Sequence, residues 1–235
     1  MRTSPSNRDE SHVLVFGNGT FPGLRRLTPF LAGSALNICC DGAADKALKL
    51  GIIPDLVIGD LDSVSAAGKK KSRSVVPVGN QDSTDLEKAL AWLDRKGMGR
   101  RRTVLAGFTG DRADFTLYNL HLLKRFADRD LLMIDDRFSI FPARPRTALS
   151  GLKKGTLISL MPLSRTTDVT TTGLKWNLKN ATLEPGGIES VSNRSVSGSV
   201  SLRFKKGFLL WFVSVDGILP HSSLKNREAR GPLWG

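Results

Sequence analysis

Residues 54–63 read PDLVIGDLDS, and this segment predicts a buried strand followed by two acidic residues. The apolar run at residues 56–58 is typical of a parallel strand, and Gly59 ends it. If the backbone stays extended beyond Gly59, the period of two places Asp60 and Asp62 on one face, roughly 6 to 7 Å apart at their Cα atoms. Open α/β sheets bind ligands beyond the carboxyl ends of their strands, so the two carboxylates are candidate ligands for Mg²⁺.

A local role explains the same residues equally well. Asp62 or Ser63 is a suitable cap for the helix that follows, and Asp60 is a suitable solvated loop acid, because Asp is common in loops. Taken alone, the segment leaves both interpretations open.

Three more acidic segments lie at strand-to-helix connections. They are Asp41-Gly42 after a predicted strand at residues 35–40, QDSTD at residues 81–85, and GDRAD at residues 110–114. The carboxyl ends of parallel strands meet at one edge of a sheet, so these segments are expected to converge with residues 60–62 on a single site.

Each of these segments also has a local explanation. Asp41 stands where a helix N-cap belongs, and Thr84 and Glu87 have capping-box spacing. Arg112 and Asp114 are able to pair with each other, as loop charges commonly do. In a phosphate site the same pair offers a guanidinium group for phosphate oxygens and a further carboxylate for a metal ion.

A glycine loop at residues 17–19 follows the first predicted strand at residues 13–16. It begins like a dinucleotide-binding fingerprint, but Pro22 stands where a third glycine belongs. We therefore interpret this loop as an ordinary turn and keep a phosphate contact as the lesser alternative.

The sequence pattern changes near residue 138, from alternating strands and helices to short strands separated by turn residues. We predict an α/β domain over residues 13–137, with a parallel sheet in a three-layer α/β/α arrangement, followed by an all-β sandwich over residues 138–216. Residues 1–12 are expected to form a flexible leader and residues 217–235 a loosely ordered tail.

Composition limits the class of protein. The chain has 235 residues, of which 40% are hydrophobic, so it is able to bury a core. Cys39 and Cys40 are adjacent and poorly placed for a disulfide, which favours a reducing compartment. The polar start lacks the apolar region of a signal peptide, and no segment approaches the roughly 18 apolar residues that span a bilayer. We expect a cytoplasmic protein with no membrane association.

The chain carries a formal net charge of +13, which raises the question of polyanionic partners. The basic residues are scattered or lie in short clusters, and no nucleic-acid-binding motif accompanies them, so nucleic acid is not an expected partner. The three histidines make no zinc-ligand pattern, and no Gly-x-Ser-x-Gly elbow occurs. Zinc chemistry and serine-hydrolase chemistry therefore have no support in the sequence.

In order and spacing, these segments resemble the thiamine pyrophosphokinase family over nearly the whole chain. The matching blocks in the α/β half are residues 41–43, residues 54–56 with 59–63, residues 81–90 and residues 110–120. Those in the β half are residues 173–178, Ser192-Asn193 and Leu210-Trp211.

The resemblance implies an ATP-dependent diphosphotransferase that moves a pyrophosphoryl group from ATP to the hydroxyl of thiamine and releases AMP. It implies Mg²⁺ bound by Asp60, Asp62, Asp85 and Asp114, which are expected with Arg112 to be the catalytic residues. Asp85 and Asp114 are also candidates for the base that takes the thiamine proton. The implied nucleotide-binding residues are Asp41, Gly42, Gln81, Thr84 and Arg112.

The resemblance also implies a homodimer, with thiamine between the α/β half of one subunit and the β half of the other. Ser192, Asn193 and Trp211 are the implied thiamine-binding residues, with Trp211 stacking on the cationic heterocycle. A core position for Trp211 in the sandwich is an equally good interpretation of the sequence alone.

The chain departs from the family's usual pattern at three positions. Asn80 stands where the family usually has Asp. Asp111 stands in place of a Gly, and Phe115 stands in place of a His or Gln. The last two bear on how ATP is handled.

Two other functions remain open: a pyrophosphokinase for another hydroxymethyl heterocycle such as a pterin, and a non-catalytic basic protein that binds nucleic acid.

Overall fold

The computed structural model describes residues 11–215. The chain divides into two compact units, and the division does not follow a single cut in the sequence, because residues 120–128 group with the second unit and residues 129–136 with the first. The predicted tail, and the predicted leader apart from Ser11 and His12, lie outside the described residues. The prediction of an α/β unit followed by an all-β unit is confirmed.

The first unit is built on six strands, and each adjacent pair is parallel. The strands are β1 (His12–Phe16), β2 (Ser34–Cys40), β3 (Leu56–Gly59), β4 (Val75–Pro77), β5 (Thr103–Ala106) and β6 (Leu131–Ile134). The helices are α1 (Leu24–Ala32), α2 (Ala43–Lys49), α3 (Ala66–Lys71), α4 (Asp85–Arg95) and α5 (Ala113–Arg125).

Burial explains why these segments form strands and helices. All residues of β1, β3, β5 and β6 are buried, as expected for apolar runs in a parallel sheet. In α4 the buried residues Leu86, Ala89, Leu90 and Leu93 recur at helical spacing. None of the helices within residues 11–215 is long and apolar enough to cross a membrane.

The strand order determines where a ligand would bind. β1 lies in the middle of the parallel sheet, with β2, β3 and β4 on one side and β5 and β6 on the other. The direction of winding therefore reverses between β1 and β5. Such a switch point opens a crevice beyond the carboxyl ends of the two strands, and the loops that follow them line it.

The second unit is antiparallel. One group of strands has the order β12-β9-β14-β7 and the other β11-β10-β13-β8. The strands are β7 (Phe138–Pro142), β8 (Arg146–Ser150), β9 (Leu157–Pro162), β10 (Thr166–Thr172), β11 (Ala181–Leu183), β12 (Ser190–Arg194), β13 (Ser199–Arg203) and β14 (Leu209–Ser214). Exposed and buried residues alternate along β8, which is the pattern of a strand with one face in the core.

Candidate active site

A pocket of about 310 Å³ lies in the first unit, in the crevice beyond β1 and β5. Five parts of the chain line it: the loop after β1, the end of β2, the start of α4, the β5–α5 connection, and the first half of α5. The lining residues are Gly17, Asn18, Gly19, Cys40, Thr84, Asp85, Leu86, Gly107, Phe108, Thr109, Gly110, Asp111, Arg112, Phe115 and Asn119.

Two glycine-containing loops pack against each other to form one wall of the pocket. The N–H of Gly19 donates to the carbonyl oxygen of Gly107 at 2.7 Å, and the N–H of Thr20 donates to the carbonyl oxygen of Thr109 at 2.9 Å. A Cβ atom at Gly17 would lie 2.6 Å from the Phe108 ring, so a larger residue does not fit there. The interpretation of residues 17–19 as an ordinary turn therefore misses their place in the site.

Asp41 fastens the loop after β3 instead of lining the pocket. Its carboxylate accepts hydrogen bonds from the N–H and hydroxyl of Ser63 and from the N–H of Val64. The N-cap of α2 is Gly42, without a side-chain hydrogen bond, so the interpretation of Asp41 as a helix cap is wrong. Neither Asp41 nor Gly42 lines the pocket, and their expected contact with nucleotide has no support there.

A turn, not an extended strand, carries the two acids after β3. Leu61 has φ +68°, and the N–H of Asp62 donates to Oδ1 of Asp60 at 3.4 Å. The prediction that an extended backbone places Asp60 and Asp62 on one face is therefore wrong. Asp60 is half-buried and Asp62 is exposed.

The carboxylate of Asp85 lies near two other acids, Asp60 and Asp41. Burial raises the pKa of its carboxyl, and the negative charges of Asp60 and Asp41 raise it further, whereas Lys88 acts in the opposite direction. Gly59 makes this approach possible, because a Cβ atom there would lie 3.3 Å from Oδ1 of Asp85. The end of β3 and the start of α4 therefore form one acidic region.

The start of α4 is capped as the sequence predicts. The Thr84 hydroxyl accepts from the N–H of Glu87 at 3.4 Å, while Oε2 of Glu87 accepts from the N–H of Thr84 at 2.9 Å. The capping box is confirmed, and Asp85 occupies the first helical position. Thr84 also lines the pocket, whereas Gln81 is exposed and does not.

Arg112 and Asp114 form a bidentate pair at the start of α5. The Arg112 Nε and Nη2 atoms lie 3.1 and 2.5 Å from the two carboxylate oxygens, and both side chains are about two-thirds exposed. The Arg112 guanidinium also lies 4.2 Å from the centre of the Phe115 ring. Arg112 lines the pocket but Asp114 does not, so the local pairing that the sequence left open is present.

The four expected metal ligands do not form a single cluster. Within residues 11–215, no group of three or more His, Cys, Asp or Glu is arranged to hold a metal ion. The structure therefore does not show the expected preformed metal site made by Asp60, Asp62, Asp85 and Asp114. Mg²⁺ commonly binds through one or two carboxylates plus water and phosphate, and Asp60 and Asp85, whose Oδ1 lies close to Gly59, fit that requirement.

The two units match two family models in the same order. The model described as "Thiamin pyrophosphokinase, catalytic domain" matches residues 27–134, and the one described as "Thiamin pyrophosphokinase, vitamin B1 binding domain" matches residues 144–209. This chain belongs to the thiamin pyrophosphokinase family.

Relatives match over most of their length. Thiamine pyrophosphokinase 1 of Oryza sativa subsp. japonica is 28% identical over 223 residues, covering 82% of this chain and 84% of the relative. Thiamine pyrophosphokinase of Bacillus subtilis is 29% identical over 208 residues, covering 83% and 96%.

Solved structures of thiamin pyrophosphokinases share the fold. The crystal structure of the Bacillus subtilis enzyme aligns with a TM-score of 0.75 at 25% identity, covering 88% of this chain and all of that one. The Candida albicans structure aligns with a TM-score of 0.76 at 16% identity, covering 92% and 96%, and shows likeness of fold alone.

Trp211 is a core residue of the vitamin B1-binding unit. Its side chain is 0% exposed in β14, which pairs with β7 and β9. Its expected stacking on thiamine is therefore not supported, and the core interpretation is the one that the structure favours. Its Nε1 has no hydrogen-bond partner within residues 11–215.

Asn193 supports a loop that carries an exposed tryptophan. Its side chain is buried, accepts from the N–H of Trp176 at 3.2 Å and donates to the carbonyl of Trp176 at 2.7 Å. Trp176 is 56% exposed, and Lys175 Nζ lies 4.5 Å from the centre of its ring. Ser192 is exposed with φ +58°, and its N–H donates to the Ser159 hydroxyl.

Two lysines that do not line the pocket hold residues that do, and the sequence pattern gave them no role. Lys46 of α2 donates to the carbonyls of Asn18 and Gly19 at 2.6 and 3.0 Å and so holds the loop after β1. Lys88 of α4 donates to Asp85 at 3.0 Å. In sequence, both are ordinary polar helix residues, and only the strand order shows what they face.

Proposed function

We propose that this chain is a thiamine pyrophosphokinase that transfers the terminal pyrophosphoryl group of ATP to the hydroxyl of thiamine. The hydroxyl oxygen bonds to the β-phosphorus, the bond from that phosphorus to the α,β-bridging oxygen breaks, and AMP leaves. The hydroxyl proton passes to a carboxylate. The match of the catalytic and vitamin B1-binding models, in order along one chain, carries this conclusion.

The pocket of the first unit is the proposed ATP site. The Gly17–Gly19 loop and the Gly107–Arg112 segment present backbone at close range, which suits the approach of phosphate groups. Arg112 adds a guanidinium group with fork geometry for phosphate oxygens. Thr84 borders the same pocket at the start of α4, where the helix dipole favours negative charge.

Asp60 and Asp85 are the proposed Mg²⁺ ligands, with Asp62 beside them on the same turn. The ion would offset the negative charge that develops on phosphate oxygens during transfer. Without a cation, these carboxylates would repel the triphosphate. Asp85 is also placed to accept the hydroxyl proton, because it is the acid among these that lines the pocket.

Asp114 is proposed to take part only after Arg112 turns to phosphate. Water screens this exposed ion pair, so a phosphate group of higher charge competes well for the guanidinium. Asp114 would then be free to serve as a second base or metal contact. Asp114→Asn should therefore reduce turnover far less than Asp85→Asn, and equal losses would remove this assignment.

A homodimer with thiamine sites at the subunit interface is part of the proposal. Apolar side chains of the second unit that stand exposed support an interface with a second copy: Trp176, Ile188, Val191 and Val196. Sedimentation velocity should give twice the chain mass, and a monomer at micromolar concentration would reject the dimer.

We also propose a cytoplasmic location, since both cysteines are buried free thiols, and cell fractionation tests it.

An AMP-release assay with alternative acceptors tests the function. AMP should form with ATP, Mg²⁺ and thiamine together, and not when thiamine is omitted. Release with a hydroxymethyl pterin in place of thiamine would favour the other pyrophosphokinase. Binding to DNA or RNA with a steep decrease in affinity as salt rises, without AMP release, would favour the basic nucleic-acid-binding protein.

A further inference from the structure

Lys88 is a buried lysine near the start of α4. Its side chain is 4% exposed, and every residue from Leu86 to Leu90 is buried. The helix contacts β2 and β3. A lysine is almost never buried to this extent unless its ammonium group is paired.

The partner of the ammonium group is Asp85, one helical turn earlier. Nζ of Lys88 donates to Oδ1 of Asp85 at 3.0 Å. Asp85 lines the pocket and is about one-third exposed, whereas Lys88 does not line it. The lysine therefore holds the carboxylate from the buried side while the carboxylate stays accessible from the pocket.

Stability alone does not explain this choice of residue. Replacing both members of a buried ion pair by apolar residues of similar volume is often neutral or stabilising, so the fold does not require a charged pair at these two positions. Asp85 lies among other acids. A Cβ atom at Gly59, the residue before Asp60, would lie 3.3 Å from Oδ1 of Asp85 and 3.0 Å from Cβ of Asp41, and Lys88 brings the opposite charge to Asp85.

We propose that Lys88 is a positioning residue whose buried ammonium group holds the Asp85 carboxylate in the orientation required for pyrophosphoryl transfer. The inference rests on the proposed function, because Asp85 is the residue through which Lys88 acts. It makes the lysine of the segment DLEKAL, residues 85–90, part of the catalytic arrangement without contact with substrate.

The decisive variant is Lys88→Met, which keeps the length and apolar volume of the side chain and removes the charge. Displacement of a reacting group by about 1 Å can cost about 100-fold in rate, so we expect kcat to fall about 100-fold while KM for ATP changes less than threefold. Lys88→Arg, which keeps a cationic donor, should recover at least tenfold of the loss. Lys96→Met makes the same chemical change at the exposed C-cap of α4 and should leave both constants unchanged.

A second measurement does not depend on turnover. In metal-free buffer, Lys88→Met leaves Asp85 without its buried partner, and Asp85→Asn leaves the ammonium group unpaired. Both single variants should unfold at lower urea concentration than the double variant Lys88→Met/Asp85→Asn, because the double variant removes both charges. A side chain that only fills space would instead give additive losses. Lys88→Gln is a milder variant for the same comparison if Lys88→Met does not fold.

The outcomes separate this inference from the proposed function. If the wild-type protein releases no AMP from ATP and thiamine, the function fails, while the urea series still reports on the ion pair. If the wild-type protein is active and Lys88→Met keeps kcat within threefold of it, the positioning role is rejected. Additive stability losses in the double variant reject it as well.

Discussion

The carboxylate of Asp41 accepts hydrogen bonds from the backbone N–H and the hydroxyl of Ser63, 22 residues further along the chain. Four residues after Asp41, the carboxylate of Asp45 in α2 accepts hydrogen bonds from the N–H and the hydroxyl of Ser65 at 2.7 and 2.6 Å. Two acids near the start of α2 therefore hold the loop that carries Asp60 and Asp62. In the proposed mechanism, this loop supplies metal ligands, so its position matters for turnover.

Asp41→Asn should destabilise the fold. The amide replaces one acceptor oxygen with a donor that faces other donors, and an unsatisfied buried group costs about 1 to 3 kcal/mol. Urea unfolding measures the loss. Asp62→Asn is the matched control, because Asp62 is exposed: it should leave the unfolding midpoint unchanged and lower Mg²⁺-dependent AMP release. Equal stability losses in the two variants would contradict the anchoring role of Asp41.

The Asp45 contact should make stability depend on pH in one direction. Hydrogen bonds from Ser65 hold the pKa of Asp45 below its usual range. A carboxyl with a lowered pKa in the folded state stabilises the fold above its unfolded pKa of about 3.9, and that contribution is lost as pH falls through the folded pKa. Asp45→Asn should therefore have a lower urea midpoint than wild type at pH 6, and the gap should close as pH falls below about 4. A gap that stays constant down to pH 3 would contradict it.

Asp111 should weaken ATP binding. It lines the pocket with φ +43°, a backbone conformation that favours glycine, and its carboxylate is held by the Thr20 hydroxyl at 2.8 Å. Asp111 adds negative charge to the wall of the proposed phosphate site, where its carboxylate lies 3.9 Å from Lys46 Nζ. Two charges 4 Å apart in water interact by about 1 kcal/mol. Asp111→Gly and Asp111→Asn should both lower KM for ATP about fivefold. If only the glycine variant improves binding, backbone conformation and not charge is responsible.

The two tryptophans of the vitamin B1-binding unit should behave differently. Trp211→Phe removes part of a fully buried ring, which is expected to cost about 1 to 3 kcal/mol of stability with little change in KM for thiamine. Trp176→Ala should leave the unfolding midpoint nearly unchanged and raise KM for thiamine, if the exposed ring contacts the cationic ligand. Thiamine titrations and urea unfolding of both variants measure this, and the reverse pattern would restore Trp211 as the ligand contact.

Local patterns in the sequence predicted much of the architecture. The apolar run at residues 56–58 is a buried strand, and the spacing of Thr84 and Glu87 produced the capping box that places Asp85 at the first position of α4. These features depend on neighbours within a few residues, so a single sequence contains the information for them. The change of pattern near residue 138 likewise marked the start of the antiparallel strands.

The remaining features depend on contacts between distant residues or on unusual backbone angles. Leu61 adopts φ +68°, an angle that a leucine in the sequence does not predict. The prediction of an extended backbone at this point was therefore wrong. The role of residues 17–19 depends on β5 lying beside β1, and adjacency of strands 90 residues apart is not visible in local periodicity. Trp211 is buried because β14 lies between β7 and β9, and the sequence alone left that open.

The most direct test of the account is the fate of the two terminal phosphates of ATP. Purified protein is incubated with thiamine, Mg²⁺ and ATP labelled at the γ-phosphate, and the products are separated by chromatography. Pyrophosphoryl transfer predicts that label appears in thiamine diphosphate and that AMP forms in equal amount, with no ADP. Formation of ADP with thiamine monophosphate, or no labelled thiamine product at all, would contradict it.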